Sequence, residues 1–388
     1  MSSGATGDSV AAAAGPTWID IDLAAIRANV HRLREVAGQA ELMAVVKADG
    51  YGHGLIPVSR AARQAGAGWL GVALLAEARQ LRAAGDQGPV LAWLFAPGED
   101  FATAIAERID LGVGAAWMLR EIADAARRLG RTARVHLKVD TGLGRNGVSI
   151  AEWPAMLEAA TVEVDRGAIE IVGMWSHFAY ADSPTHPTVA AQLSRFNDAC
   201  AAAEAVGIRP QLRHLANSAA TFALPDARFD LVRPGISVYG ISPGPEVGNA
   251  ADLGLRPAMT LSTRVAVAKR VPAGSGVSYG HEYVTERETT LALLPLGYAE
   301  GIHRRASGRG PVLLAGRRRP VAGRICMDQF VVDVGDDQCA AGDIAVLFGP
   351  GNHGEPTVDD WADACDTIPY EVVTSVGPRI RRQYSGEG

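Results

Sequence analysis

The stretch Ala44-Val45-Val46-Lys47-Ala48-Asp49-Gly50-Tyr51-Gly52-His53-Gly54 joins an apolar run, a lysine and a glycine-rich turn. The apolar run at residues 42–46 predicts a buried strand that ends at Lys47. The glycines and polar residues that follow are typical of a turn, and a helical pattern resumes near Leu55. Lys47 is therefore predicted at the carboxyl end of a buried strand, which is where barrels of alternating strands and helices build their active sites.

A lysine in that position can do chemistry that a surface lysine cannot. Partial burial disfavours the ammonium form, so the pKa falls and more of the free amine is present. A free amine can form a Schiff base with an aldehyde. Considered alone, Lys47 is better explained as a surface residue at a strand end than as a reactive lysine. The motifs in the rest of the chain change that interpretation.

A unit of one strand and one helix repeats along the first two thirds of the chain. The predicted strands are residues 42–46, 69–74, 90–95, 111–113, 135–139, 169–175, 212–215 and 231–232. The predicted helices lie near 55–65, 76–84, 99–108, 116–129, 151–159, 188–206 and 218–223. Eight strands with intervening helices over roughly 200 residues predict a (β/α)8 TIM-type barrel. A doubly wound open sheet is the alternative, disfavoured because no Gly-x-Gly-x-x-Gly follows the first strand.

The two ends of the chain differ from this repeating part. Residues 1–16 are rich in Ala, Gly and Ser, which predicts a flexible tail and not a signal peptide. The barrel domain is expected at 17–249, with the alternating segment 17–23 as a strand that could instead pack with the C-terminal domain. Short strands at 260–269, 290–295, 312–314, 330–334 and 344–348, punctuated by glycine and proline, predict a mainly-β domain over 250–388.

Composition excludes several classes of function. The 388 residues include 37 basic and 43 acidic side chains without a basic run, which argues against a nucleic-acid partner. The four scattered cysteines have no C-x-x-C spacing, which argues against a disulfide framework and a structural metal and favours a reducing, cytoplasmic location. No apolar run reaches the roughly 18 residues that a membrane span requires.

Polar and ionisable groups follow the strands at one end of the predicted barrel. They are Lys47 and Tyr51, residues 138–145 (Lys-Val-Asp-Thr-Gly-Leu-Gly-Arg), 176–179 (Ser-His-Phe-Ala), 214–218 (His-Leu-Ala-Asn-Ser) and 233–236 (Arg-Pro-Gly-Ile). Each has an ordinary explanation: His177 as a structural histidine, Ser218 as a helix N-cap, Arg145 and Arg233 as ion-pair partners. Their occurrence at five strand ends together predicts a functional site.

These stretches, in this order, resemble the pyridoxal-phosphate-dependent alanine racemases. The resemblance runs from about residue 17 to 384 and includes the 44–54 stretch quoted above. It continues with Leu-Lys-Val-Asp-Thr-Gly-Leu-Gly-Arg at 137–145, Trp-Ser-His-Phe-Ala at 175–179, His-Leu-Ala-Asn-Ser at 214–218, Arg-Pro-Gly-Ile at 233–236, Gly-Val-Ser-Tyr-Gly at 276–280, Gly-Tyr-Ala-Glu-Gly at 297–301 and Gly-Arg-Ile-Cys-Met-Asp-Gln at 323–329.

The resemblance implies a two-base racemase. Lys47 would hold the cofactor pyridoxal 5′-phosphate covalently and act as the base on one face of the substrate α-carbon, with Tyr279 as the base on the other. Racemisation needs both faces, because one group removes the α-proton and another returns a proton from behind. A free tyrosine has a pKa of about 10, so nearby cations would have to lower it. Tyr279 alone would be read as an ordinary aromatic residue in a turn.

Further residues receive roles from the same resemblance. The implied cofactor-binding residues are Lys47, Tyr51, Arg145, His177, Ser218, Arg233, Gly235, Ile236 and Tyr370. Arg233, assisted by His214, would face the pyridine nitrogen, and Tyr51, Ser218, Gly235, Ile236 and Tyr370 would hold the phosphate. The implied substrate-binding residues are Arg145, Met327 and Tyr298, with Tyr298 and Tyr370 narrowing the entrance. Lys138 matches a position that is often carbamylated, with a plain buried ion pair as the alternative.

The expected substrate is alanine, and the expected partner is a second copy of the chain, whose β-rich domain closes the site of the first. Two other functions stay open at this point. A barrel-type amino-acid decarboxylase also uses a pyridoxal-binding lysine, but it presents an acidic residue where Arg233 stands here. A non-catalytic pyridoxal-phosphate-binding protein resembles the barrel alone and would lack the domain that carries Tyr279 and Met327.

Overall fold

The computed structural model describes residues 15–386, which divide into two compact units. One unit contains residues 26–50 and 55–255, and the other contains residues 15–25, 51–54 and 256–386. Most of the tail predicted at 1–16 lies outside the described residues.

The helices and strands are numbered in chain order over residues 15–386. The strands are β1 (Thr17–Asp22), β2 (Glu41–Val45), β3 (Trp69–Val72), β4 (Val90–Ala92), β5 (Asp110–Val113), β6 (Ala133–Asp140), β7 (Val148–Ser149), β8 (Ile169–Trp175), β9 (Leu212–His214), β10 (Leu231–Val232), β11 (Met259–Arg264), β12 (Val267–Val271), β13 (Gly276–Val277), β14 (Tyr283–Val284), β15 (Thr289–Leu294), β16 (Pro311–Leu314), β17 (Arg317–Pro320), β18 (Phe330–Gly335), β19 (Ile344–Phe348) and β20 (Arg381–Ser385). The main helices are α1 (Leu23–Ala37), α2 (Leu55–Gln64), α3 (Leu75–Ala83), α4 (Phe101–Ala106), α5 (Ala116–Leu129), α6 (Trp153–Asp165), α7 (Pro187–Ala205), α8 (Ser218–Ala223), α9 (Val358–Cys365) and α10 (Pro369–Ser375).

Eight parallel strands form a cylinder in the first unit. Their order is β10-β2-β3-β4-β5-β6-β8-β9, and each neighbouring pair in that order is parallel. Backbone hydrogen bonds join the two ends of this order, from Asp230 N to Arg213 O at 3.1 Å and from Arg233 N to Ala216 O at 2.9 Å. The predicted (β/α)8 TIM-type barrel is thus confirmed, and the doubly wound sheet is excluded.

The barrel core follows from the sequence patterns. The strands β2, β3 and β5 are almost continuously apolar after their first residue or throughout, as expected for strands covered on both faces. Five buried side chains from different strands pack together: Met43, Trp69, Leu91, Val172 and Leu231. Outside, α5 buries Met118, Leu119 and Ile122 at helical spacing and ends at Gly130, whose φ of 61° suits glycine.

The second unit is mainly β, as the sequence predicts. Its largest sheet has the order β17-β16-β19-β11-β1-β20, and the strands β12, β15 and β18 form a second sheet. Residues 17–23, assigned above to the barrel domain with the C-terminal domain as the alternative, enter the larger sheet as β1, antiparallel to β11 and parallel to β20. The strand predicted at 260–269 is two strands, and the sequence analysis missed the helices α9 and α10.

Candidate active site

The chain makes a left-handed turn immediately after the strand that leads to Lys47. In the segment Lys47–Tyr51, the φ angles of Ala48, Asp49 and Gly50 are 54°, 52° and 59°. The N–H of Gly50 donates to the carbonyl of Val46 at 2.9 Å, which closes the turn. A left-handed conformation costs a non-glycine residue roughly 1–2 kcal/mol. Such a run persists only where surrounding contacts impose it, and this is common at functional sites.

Glu77 supplies those contacts. Its Oε1 accepts from Ala48 N at 2.6 Å, while its Oε2 accepts from Ala73 N at 2.9 Å and Leu74 N at 3.0 Å. One carboxylate thereby ties the turn after β2 to the end of β3. The sequence analysis did not single out Glu77, although its place in the first turn of α3 is a capping position that the sequence displays.

Two of the three lysines in the sequence lie in this barrel, and both have a lowered pKa. Burial lowers the pKa of Lys47, the charge of Arg145 adds to the effect, and Glu77 partly opposes it. Lys138 is 5% exposed, with Nζ 4.3 Å from the centre of the Trp175 ring. Burial, and then the charges of Arg233 and Arg145, lower the pKa of Lys138 to about 7.

Arg233 is a buried cation anchored to the ends of two strands. Its Nη2 donates to the carbonyls of Ser176 at 2.8 Å and Leu215 at 3.3 Å and lies 3.3 Å from Nδ1 of His177. Its Nη1 lies 3.1 Å from Nδ1 of His214. Burial lowers the Arg233 pKa to about 9, so the group stays charged at neutral pH. None of these hydrogen bonds uses Nε.

Both histidines that contact Arg233 are neutral at neutral pH. Burial is the main reason that the pKa values of His177 and His214 lie well below the ordinary value, and the Arg233 charge lowers them further. The two imidazoles therefore add no positive charge to that of the nearby arginine and lysine side chains. An anionic ligand would meet Lys47, Arg145 and Arg233 as its positive neighbours.

Ser218 is not the cap of its helix. The N-cap of α8 is Asn217, whose side chain accepts a backbone N–H from the first turn. The Ser218 hydroxyl oxygen instead accepts from Gly235 N at 2.8 Å and from Ser237 N at 3.4 Å. Ser218, Gly235 and the buried Ile236 therefore lie together where β9 and β10 end, which gives this edge of the barrel a hydroxyl group and backbone amides.

Arg145 lies in an ordered loop after β6. The Asp140 carboxylate accepts from the backbone N–H groups of Gly142 and Leu143 at 2.9 Å and from Gly144 at 3.0 Å. This clamp shapes the segment that leads to Arg145, whose own side chain is exposed. The Arg145 charge contributes to the lowered pKa of Lys47 and of Lys138, so the guanidinium acts on both amines.

In the second unit, three of the quoted motifs meet around Cys326. The Ser278 hydroxyl donates to Arg324 O at 2.7 Å and lies 3.4 Å from Cys326 Sγ, while Tyr298 N donates to Cys326 O at 3.1 Å. A Cβ on Gly297 would lie 2.2 Å from that same carbonyl oxygen, so the close approach requires glycine. The stretches 276–280, 297–301 and 323–329 are therefore neighbours.

The residues predicted to face the substrate from this unit are largely exposed in the single chain. Tyr279 is 71% exposed, Met327 54% and Tyr298 44%. Within the described residues, the Met327 N–H donates to no protein acceptor. Tyr51 is buried, with its ring 6.2 Å from that of Tyr370, and burial raises its pKa, so it remains a neutral hydroxyl.

The predicted site residues thus fall into two sets. The first unit contains Lys47, Lys138, Arg145, His177, His214, Ser218, Arg233, Gly235 and Ile236, all at the carboxyl ends of barrel strands. The second unit contains Tyr51, Tyr279, Tyr298, Met327 and Tyr370. Within residues 15–386, no group of three or more metal-binding side chains is present, and no helix is long and apolar enough to cross a bilayer.

Family models match both units of the chain. The model of the alanine racemase N-terminal domain matches residues 21–243, and that of the alanine racemase C-terminal domain matches residues 258–384. The chain belongs to the alanine racemase family. The resemblance found in the sequence motifs is thereby confirmed.

Individual members of the alanine racemase family match nearly the whole chain. An alanine racemase of Frankia casuarinae is 62% identical over 94% of this chain and 95% of its own length. One from Thermobifida fusca is 56% identical over 94% of this chain and 97% of its own length. The crystal structure of alanine racemase from D-cycloserine-producing Streptomyces lavendulae superimposes with a TM-score of 0.95 at 56% identity, covering 96% of this chain and 97% of that one.

Proposed function

We propose that this chain interconverts L-alanine and D-alanine with pyridoxal 5′-phosphate as its cofactor, and so supplies D-alanine for bacterial peptidoglycan. One observation carries the proposal. Two amines with a lowered pKa, Lys47 and Lys138, accompany the guanidinium groups of Arg145 and Arg233 at the carboxyl ends of the barrel strands. A reactive amine among fixed cations suits a ligand that carries an aldehyde and several negative charges.

The residues present fit this cofactor. Lys47 would hold it covalently, and the Ser218 hydroxyl with the Gly235 and Ile236 backbone would meet the phosphate, together with Tyr51 and Tyr370. Pyridoxal phosphate, when bound, supplies a ring that withdraws electrons from the substrate α-carbon.

Arg233 would face the pyridine nitrogen. A guanidinium cannot accept a proton, so that nitrogen would stay unprotonated and the ring would withdraw electrons more weakly than beside a carboxylate. A weaker electron sink limits side reactions such as transamination. This argues for racemisation over the decarboxylase alternative, in which an acidic residue takes this place.

Two bases would share the proton transfer. The lowered pKa of Lys47 increases the fraction of free amine that can take the α-proton from one face. The Tyr279 hydroxyl would exchange a proton on the other face. Arg145 and the Met327 N–H, which donates to no acceptor within residues 15–386, would bind the substrate carboxylate, and Tyr298 and Tyr370 would limit the size of its side chain.

Lys138 would be carbamylated. With a pKa of about 7, a large share of this amine is neutral at neutral pH and can attack carbon dioxide. The neutral amine forms one N–C bond while one C–O π bond of carbon dioxide breaks, and the nitrogen releases one proton, so a neutral amine becomes a carbamate anion. Arg233, Arg145 and Lys47, which all disfavour the ammonium, would stabilise the carbamate, and the carbamate would in turn orient Arg145.

The active form would be a homodimer in which the second chain contributes Tyr279 to the site of the first. The large exposure of Tyr279 and Met327 in the single chain supports this, because groups that act on a buried reaction would be covered in the assembly. The four free cysteines fit a reducing compartment, and we infer a cytoplasmic location.

A chiral assay tests the proposed function. Protein and pyridoxal phosphate are incubated with L-alanine, and the amounts of L- and D-alanine, carbon dioxide and amine are followed. The proposal predicts equal amounts of the two enantiomers at equilibrium, without gas or amine. Release of carbon dioxide with an amine would favour the decarboxylase, and unchanged L-alanine would favour a binding protein.

A further inference from the structure

A continuous line of hydrogen bonds crosses the barrel interior from Arg233. Nη1 of Arg233 lies 3.1 Å from Nδ1 of His214, and Nε2 of His214 lies 2.9 Å from Nδ1 of His136. Nε2 of His136 lies 3.3 Å from Oδ2 of Asp110. Both histidines are fully buried, and Asp110 is 1% exposed. Asp110 begins β5 at the amino end of the barrel, whereas Arg233 follows β10 at the carboxyl end.

The two ends of this line, a guanidinium and a carboxylate, impose the same direction on every bond between them. A guanidinium only donates, so Nδ1 of His214 must accept, and the single proton of that neutral imidazole lies on Nε2. Nε2 of His214 therefore donates to Nδ1 of His136, whose proton in turn lies on Nε2 and points to Asp110. A carboxylate, which only accepts, is the group that completes such a line.

Asp110 is well suited to end the line. Burial pushes its pKa upward, but the hydrogen bond from His136 and the hydrogen bond and charge of Arg134 outweigh burial and hold the pKa below the usual range. Arg134 Nε donates to the other carboxylate oxygen at 2.9 Å. At neutral pH the far end of the line is therefore a carboxylate anion, which balances the buried charge of Arg233 across two neutral rings.

The two rings have little room to reorient. The Trp175 ring stacks on His214 at 5.6 Å between centroids and 15° between planes, and the Trp69 ring meets His136 edge-on at 5.4 Å. A Cβ on Gly173 would lie 2.2 Å from Nδ1 of His136, so the neighbouring strand must have glycine there. The packing is built to place these imidazoles in one orientation.

We propose that Asp110 and His136 are positioning residues: they hold the His214 proton on Nε2, so that Nδ1 always receives the Arg233 N–H. The inference rests on the proposed function, in which Arg233 faces the cofactor ring. Without the acceptor at Asp110, both imidazoles can move their proton to Nδ1. The N–H of His214 would then oppose the N–H of Arg233, and the guanidinium would lose its fixed orientation.

Nitrogen NMR on protein with 15N-labelled histidine reports the tautomer of each imidazole directly. The signals of His136 and of His214 are assigned by their disappearance in His136→Gln and in His214→Gln, respectively. The wild-type protein should show the proton on Nε2 in both rings. Asp110→Ala, which removes the acceptor, should add an Nδ1-protonated population in both. Asp110→Asn keeps an oxygen acceptor without the charge and should retain more of the Nε2 form than Asp110→Ala. A wild-type His214 that is protonated on Nδ1 would overturn the proposal.

Steady-state kinetics supplies the second readout. Asp110→Ala should lower kcat about tenfold, the effect of one misplaced buried donor. KM for alanine should change less than about twofold, because the line does not contact the substrate-binding residues. Asp230→Ala is the matched control, since Asp230 is a carboxylate at the same end of the barrel that pairs with Arg213 outside the line. Its kcat and its tautomers should match the wild type.

The outcomes separate the two proposals. If wild-type protein does not racemise alanine, the proposed function fails. The tautomers of His214 and His136 would still show whether the line of hydrogen bonds has the proposed direction. If the Asp110→Ala protein does not fold, as judged by thermal unfolding, the Asp110→Asn and wild-type spectra carry the test. Unchanged tautomers or an unchanged kcat in a folded Asp110→Ala protein would refute the positioning role.

Discussion

The carbamylation proposed for Lys138 should respond to pH and to carbon dioxide. The perturbation is removal of dissolved carbon dioxide, followed by addition of 13C-labelled bicarbonate at pH 6 and at pH 8. Free amine is the reactive form, so the carbamate should form at pH 8, above the Lys138 pKa of about 7. At pH 6, below that pKa, the ammonium predominates and the carbamate should be lost.

The size of the effect follows from the pKa. At the usual value of 10.5, roughly one lysine in 3,000 is neutral at pH 7. At a pKa of about 7, about half is neutral, a gain of roughly 1,500-fold in reactive amine. The sequence provides an internal comparison, because its third lysine, Lys269, is exposed on β12 and lacks these cationic neighbours.

Carbon-13 NMR of the protein gives the result. One carbamate signal should appear at pH 8 in the wild type, remain in Lys269→Ala, and vanish in Lys138→Met, whose side chain has a similar length and no charge. Racemase activity should rise with the signal, because the proposed carbamate would orient Arg145. A folded wild-type protein without any carbamate signal in excess bicarbonate at pH 8 would refute this reasoning.

Three further predictions follow from the same structure. Lys47→Ala should remove the visible absorbance of the bound cofactor while the protein stays folded, and retained absorbance would show that another group holds it. Mixing Lys47→Ala protein with Tyr279→Phe protein under subunit exchange should restore roughly a quarter of wild-type activity. About half of the dimers are mixed, and each mixed dimer has one intact site of two. No recovery after proven exchange would exclude a site shared between chains. Gly52→Ala should lower the free energy of unfolding by about 3 kcal/mol, because its Cβ would lie 2.3 Å from Val373 O at a φ of +78°. The control Gly130→Ala, with a φ of +61° and open space around it, should lose only about 1 kcal/mol in the same urea titration, and equal losses would contradict the steric argument.

The barrel could be predicted from the sequence because its strands are short apolar runs separated by amphipathic helices. The run at 42–46 became β2 at Glu41–Val45, and the helix predicted at 116–129 has those bounds. The helix α9 was missed in the glycine-rich second half, although Val358, Trp361, Ala362 and Cys365 have helical spacing after the capping residue Thr357. The sequence thus contains local signals for this helix, but the prediction followed the strand pattern of the surrounding residues.

The site itself was only partly predictable. The motifs indicated which strand ends matter, but not the left-handed turn at residues 48–50, which depends on Glu77 from another strand-helix unit. The line of hydrogen bonds from Arg233 to Asp110 could not be predicted either, because its members come from four different parts of the sequence. Only the closed barrel brings them together, and the buried histidine in β6 was the one local indication.

Hydrogen exchange at the substrate α-carbon tests the two-base reaction most directly. Tyr279→Phe protein is incubated in heavy water with D-alanine or with L-alanine, and deuterium uptake is followed for each enantiomer. The proposed roles predict that D-alanine still exchanges through Lys47, whereas exchange on L-alanine falls far more and racemisation falls with it. Equal loss of exchange for both enantiomers, or exchange unchanged for both, would contradict one base on each face.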